Sequence, residues 1–155
     1  MKRMQARPKI PQATAISAEL GRVKGKAMKP RVCVDFDNVI CYHDISMGPY
    51  RFGSVIPGAR EFLAELKKKC FVVIYSARVH VDPTLADDIK EYLDKNNLEY
   101  DEIYYGYGKS EAVAYIDDRA IECNPSEDRE AYSRALNRID NYIQKYYDGG
   151  VKWSR

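Results

Sequence analysis

The 155-residue chain has no run of about 18 apolar residues, which excludes a membrane-spanning helix. It has no C-x-x-C pair either. Cys33, Cys41, Cys70 and Cys123 are scattered, so neither a zinc knuckle nor a disulfide framework is indicated. Two of them lie in or beside apolar runs, where a buried reduced thiol is the ordinary expectation. Internal repeats and low-complexity tracts are lacking. The opening residues, MKRMQARPKIPQ, are basic but lack the apolar core of a secretory signal, so a cytoplasmic protein with no membrane partner is expected. What is present is 45% apolar, 31% charged and 12% aromatic, the balance of a folded single domain.

Charge is unevenly spread. Residues 1–29 carry eight Lys and Arg against Glu19 alone, a net +7, while the other 126 residues sum to −5. Such an arm is commonly a solubilising terminus, and it can also hold a polyanion through counterion release. The chain is therefore divided into a basic arm (1–29), a main domain (30–148) and a short tail (149–155).

From Pro30 the texture alternates. Arg31 to Asp37 reads as an apolar strand ending in acids, and Gly58 to Lys69 as a helix with Ala59, Phe62, Leu63 and Leu66 on one face. Cys70 to Tyr75 is a continuous apolar run of the kind buried on both sides. Asp82-Pro83 opens a helix whose inner face is Leu85, Ile89, Tyr92 and Leu93. A weaker strand is expected at Glu99–Tyr104 and a clearer one at Ala112–Asp117. A last helix is expected from Ser126, with Ala135, Leu136, Ile139, Tyr142, Ile143 and Tyr146 on one stripe, ending at Gly149-Gly150. This alternation predicts an α/β layer fold around a mainly parallel sheet.

In such sheets ligands gather beyond the carboxyl ends of the strands. Three apolar runs end in polar residues: Asp35-Phe-Asp37-Asn38, Ser76-Ala77-Arg78 and Asp117-Asp118-Arg119. Lys109 follows the turn Gly106-Tyr-Gly108. A parallel sheet would collect four carboxylates, a hydroxyl and an ammonium at one rim. Clustered carboxylates repel unless a cation neutralises them, and a hard, oxygen-ligated ion such as Mg²⁺ suits them. A carboxylate can attack phosphorus, and a second acid nearby can protonate the departing oxygen and then activate water. Gly108-Lys109-Ser110 imitates the end of a P-loop, but the pattern needs glycine where Ile103 stands.

These residues, in this order, resemble the four motifs of the haloacid dehalogenase (HAD) superfamily: Asp35-Phe-Asp37-Asn38-Val39, Ser76, Lys109 and Asp117-Asp118. Ile56-Pro-Gly-Ala59, Val73 to Arg78 and Ile116 to Ala120 further resemble small HAD-like proteins of phages and bacteria. The resemblance covers about residues 30–122. It implies a three-layer Rossmann-like HAD core and a Mg²⁺-dependent phosphomonoesterase working through an aspartyl-phosphate. Asp35 would be nucleophile and metal ligand, and Asp37 the general acid/base with its backbone carbonyl on the metal. Ser76 and Ala77 would hold the transferring phosphoryl group together with Lys109, and Asp117 and Asp118 would complete the metal site. Asn38 stands where the superfamily often has glycine.

Members select substrates with caps inserted after the first motif or between the second and third. Here those intervals, Asn38–Pro57 and Ala77–Gly108, hold 20 and 32 residues, too few for a cap domain. A capless member implies an open site, suited to a phosphate projecting from a nucleotide, a nucleic-acid end or another macromolecule. Tyr42, His43 and Arg51, on the loop expected to overhang the site, and Arg78 after the second strand are the expected substrate contacts. Among Tyr42, Tyr50, Tyr104, Tyr105 and Tyr107, an exposed ring could stack a base, while Tyr92, Tyr142 and Tyr146 fit helix core faces. Two other readings stand beside the enzyme. One is a catalytically weak HAD-like module binding nucleic acid through its arm. The other is a receiver-like phosphoacceptor, which chain order disfavours because the Asp-Asp pair comes last.

Overall fold

A computed structural model describes residues 28–106 and 108–147. Nearly all of the basic arm (1–27), Tyr107 and the segment from 148 onward, with its Gly149-Gly150 stop, lie outside the described residues.

Four strands form one all-parallel sheet: β1 (Arg31–Asp35), β2 (Phe71–Tyr75), β3 (Glu102–Ile103) and β4 (Ala114–Ile116), in the order β3-β2-β1-β4. Helices α1 (Ala59–Lys69), α2 (Arg78–Val81), α3 (Leu85–Lys95) and α4 (Ala131–Tyr147) flank it. The α/β class and parallel sheet expected from the residues are present. β1 and β2 are the central strands, and each buries its three middle residues. They pair in register from Arg31↔Phe71 to Asp35↔Tyr75, which sets the ends of the two strands side by side.

Alternation sends Val32 and Val34 to one face, where they join Val72, Ile74, Leu63 of α1 and Ala86, Ile89 and Leu93 of α3 in the main core. Burying each of these large aliphatic side chains contributes about 1.5–3 kcal/mol. Cys33 lies on the other row, level with Val73 and Tyr115. On that row the Tyr115 hydroxyl donates to the Ser110 carbonyl, and the Lys109 ammonium lies 4.2 Å from the Tyr115 ring centre. Cys33 and Cys41 are buried free thiols, Cys70 is half-buried and Cys123 exposed.

Several boundaries and faces differ from expectation. Phe62 is 38% exposed, although Ala59 and Leu63 of the same helix are buried. The weak strand at Glu99–Tyr104 contracts to two residues, and Ala112–Asp117 to three. The last helix begins at Ala131, not Ser126. Local turns occupy the difference: the Asn124 carbonyl accepts from Glu127 and Asp128, and the Asp128 carboxylate accepts from the Glu130 amide. The helix stripe is exposed where burial was expected, with Leu136 67% and Ile143 48% exposed and Ile139 also open. α4 is anchored elsewhere, by buried Ala131 and by the Tyr142 hydroxyl, which donates to the carbonyls of Asp118 and Ala120. The Tyr146 side chain lies outside the described residues. Among the described residues no helix is long and apolar enough to cross a membrane.

Topology positions the site. The chain runs outward from β1 to β2 and β3, then returns to place β4 on the other side of β1. The order therefore reverses between β1 and β4, and a crevice opens there at the carboxyl ends of the strands.

Candidate active site

Asp35 is the last residue of β1, and Asp117 follows the last residue of β4. Because Val34 pairs with Ile116, the next residue on each strand emerges at the same level of the rim. Asp35, Asp117 and Asp118 bring carboxylate oxygens within 4.8 Å of one another. The Phe36 amide donates to Asp35 Oδ1 at 2.8 Å, and the Arg119 amide donates to Asp117 Oδ1 at 2.6 Å. Burial and then the neighbouring Asp117 push the Asp35 carboxyl up to about 7, with Asp37 and Asp118 adding to the effect. Three carboxyl groups held this closely concentrate negative charge at one point of the rim. Their all-oxygen donor set matches the ligand chemistry of a hard divalent cation.

The second acid of the first motif is held differently. Beyond β1 the chain folds back sharply: the amides of Ile40 and Cys41 both donate to the Phe36 carbonyl, and the Asn38 amide donates to the Cys41 carbonyl. Asn38 takes φ 58°, the left-handed region that glycine and asparagine occupy most readily. Its side-chain oxygen accepts from the His43 amide at 3.0 Å. This turn aims Asp37 at Arg78, whose Nε lies 2.8 Å from Oδ2 and whose Nη2 lies 2.8 Å from Oδ1.

Ser76 and Ala77 follow β2. Ser76 is 2% exposed, and its hydroxyl accepts from the Arg78 amide at 3.2 Å. Arg78 is 4% exposed and faces the protein. It donates to the carbonyls of Pro49 and Arg51, lies 4.8 Å from the Phe52 ring centre and donates to His43 Nδ1 at 2.7 Å. A guanidinium can only donate, so His43 Nδ1 accepts and the ring's proton is on Nε2. Burial, the largest effect, lowers the His43 pKa and favours this neutral form.

A cleft of about 510 Å³ opens over these groups. Asp35, Asp37, Ala77, Asp117 and Asp118 line it, with His43 and Arg78 at its wall. Of the four expected substrate contacts, His43 and Arg78 thus reach the cleft, and Arg78 is largely consumed by protein partners. Tyr42 is exposed outside the lining, and Arg51 contributes its backbone carbonyl to Arg78. Lys109 is exposed beside Tyr115 and does not line the cleft. The ring that does line it is Tyr75, stacked on Tyr104 at 5.8 Å between centres. In the sequence Tyr75 reads only as the end of an apolar strand, and its place next to Ser76 is the signal that marks it. Arg119, which follows the Asp-Asp pair, also lines the cleft, with Nε 4.0 Å from Asp118 Oδ1.

Compared with protein-family profiles, curated proteins and solved structures, the chain matches none.

Proposed function

We propose that the chain is a Mg²⁺-dependent phosphomonoesterase of HAD type that works through an aspartyl-phosphate on Asp35. The observation that carries the reading is the meeting of Asp35, Asp117 and Asp118 within 4.8 Å at the β1/β4 crevice, beside Asp37 and the 76–78 turn. A HAD core resembles this sheet order with its acids at the strand ends. The 38–57 interval holds a three-residue 3₁₀ turn (Ile45–Met47) and the isolated bridge Cys41↔Val55, in keeping with a capless, open site.

Asp35, Asp117 and Asp118 would hold the metal, which when bound offsets the negative charge of the acids and of the incoming phosphate. In the first step an Asp35 oxygen attacks phosphorus. The bond from phosphorus to the ester oxygen breaks, its electron pair stays on that oxygen, and Asp37, which enters this step protonated, supplies the proton and leaves it as the carboxylate. In the second step Asp37 takes a proton from water, the water oxygen attacks phosphorus, and the acyl-phosphate bond breaks with its electrons returning to Asp35. Inorganic phosphate leaves and both acids are restored. The backbone of the Ser76-Ala77 turn supports the phosphoryl oxygens. In this reading Lys109 serves only by moving in from Tyr115.

The substrate class follows from access. A cleft of about 510 Å³ lined by Gly48, Pro49, Val81 and the Tyr75 ring admits a phosphate carried on a nucleotide or at the end of a larger molecule. Phosphate release from p-nitrophenyl phosphate tests the reaction. Release with Mg²⁺ that stops with chelator and in Asp35→Asn is expected. Undiminished turnover in Asp35→Asn refutes the assignment.

A further inference from the structure

Arg78 makes more polar contacts than any acid of the site, yet the reaction just described gives it no part. Its contacts fall into two groups. Nε and Nη2 grip the Asp37 carboxylate from one side, with Nε shared between Oδ1 at 3.0 Å and Oδ2 at 2.8 Å. The remaining N–H groups bind the carbonyls of Pro49 and Arg51 and the ring nitrogen of His43, all on the loop that follows the first motif. The Phe52 ring lies beneath the guanidinium and packs edge-on against Phe36, the residue between the two acids. One buried side chain thereby joins the end of β2, the acid after β1 and the loop over the cleft.

We infer that Arg78 is a positioning residue that acts through Asp37: it fixes the plane of the carboxylate and ties the 43–52 loop to it as one rigid unit. The inference rests on the phosphatase reading. A carboxylate oxygen accepts along two directions. Oδ1 is occupied by two N–H groups of Arg78, whereas Oδ2 receives one shared N–H and keeps a direction open. Oδ2 is then the oxygen that exchanges the proton with the ester oxygen and with water. A carboxylate free to rotate would present that oxygen only part of the time, and alignment of this kind governs proton transfer.

Arg78→Lys separates orientation from charge, because an ammonium keeps the positive charge and loses the planar fork. The readout is kcat/KM for an aryl and an alkyl phosphate monoester. The aryl leaving group departs without a proton, and the alkyl one needs it. R78K is expected to lower kcat/KM for the alkyl ester about tenfold more than for the aryl ester. In an Asp37→Ala background the same substitution should cost nothing further. Amide hydrogen exchange over residues 43–52, measured without metal, should quicken in R78K. Equal losses on both esters with unchanged exchange overturn the inference while leaving the phosphatase reading intact. A wild-type chain inactive on both esters overturns the reading and the inference together. If R78K does not fold, Arg78→Gln, which keeps a planar donor and loses the fork, takes its place with the same two readouts, and equal losses on both esters with unchanged exchange over 43–52 refute the clasp.

Discussion

Asp35 is half-buried among like charges, so the group proposed as nucleophile should cost the fold stability. Its carboxyl is pushed from an ordinary 3.8 up to about 7, first by burial and then by Asp117. Between those values the folded chain keeps a proton that the unfolded chain has lost, so stability falls as pH rises through that window. At about 1.4 kcal/mol per pH unit, the full penalty above pH 7 is on the order of 4 kcal/mol. Asp35→Asn has the same shape and no ionisation. With chelator present, its stability should match wild type near pH 4 and exceed it by up to about 4 kcal/mol at pH 8. For a chain of this size that is a gap of roughly 8–16 °C in Tm. Thermal denaturation of both proteins from pH 4 to 8 measures it. Excess Mg²⁺ at pH 8 should then narrow the gap, because only the wild-type cluster keeps three carboxylates for the cation. A gap that does not change with pH, or an Asn variant less stable than wild type at pH 8, refutes the account of Asp35 as a half-buried, charge-crowded acid. Activity should move the opposite way, since the stabilised variant lacks the proposed nucleophile.

Other consequences concern single positions. Asp118→Asn should weaken Mg²⁺-dependent stabilisation while leaving the metal-free fold unchanged, read as the shift of the Mg²⁺ titration in Tm. Asn38→Gly keeps the φ 58° turn and loses the bond from the His43 amide, so it should cost about 0.5–1.5 kcal/mol, and Asn38→Val, also forced to φ 58°, should cost about 1–2 kcal/mol more by denaturant unfolding. Leu63→Ala should cost about 2–5 kcal/mol because Leu63 is fully buried, and Leu136→Gln on the open stripe of α4 should stay within about 0.5 kcal/mol. A Leu136→Gln loss as large as that of Leu63→Ala would show that something covers the stripe.

What could be read along the chain was whatever depends on neighbours in sequence. β1 and β2 were legible because a strand buried on both faces leaves an unbroken apolar run, and the acids ending β1 and β4 mark where those runs meet solvent. Periodicity also located the inner face of α3, whose Leu85, Ile89 and Leu93 are all buried. The same periodicity misread α4. A stripe at helical spacing reports that a helix is two-sided, and burial additionally requires a partner surface, which no local pattern encodes. Lys109 shows a related limit. Its place in chain order fits a motif, but chain order carries no distance, and the ammonium rests on the Tyr115 ring away from the cleft lining.

Arg78 is the sharpest case, because its contacts are almost wholly long-range. Asp37 is 41 residues away in sequence, and the Pro49 and Arg51 carbonyls are 29 and 27 away. From the sequence an arginine after a strand-end serine reads as a phosphate ligand. In the fold the side chain turns away from solvent, because two backbone carbonyls and a carboxylate together satisfy most of its donors. An isolated guanidinium would not remain at 4% exposure without them. Only after the parallel register sets β1 beside β2 does this partner set exist, so the role of Arg78 follows from topology and not from motif. The same reasoning orders the site by tolerance: an Asp35 variant should keep the architecture and lose the chemistry, whereas an Arg78 variant should disturb the loop before it reaches the phosphorus.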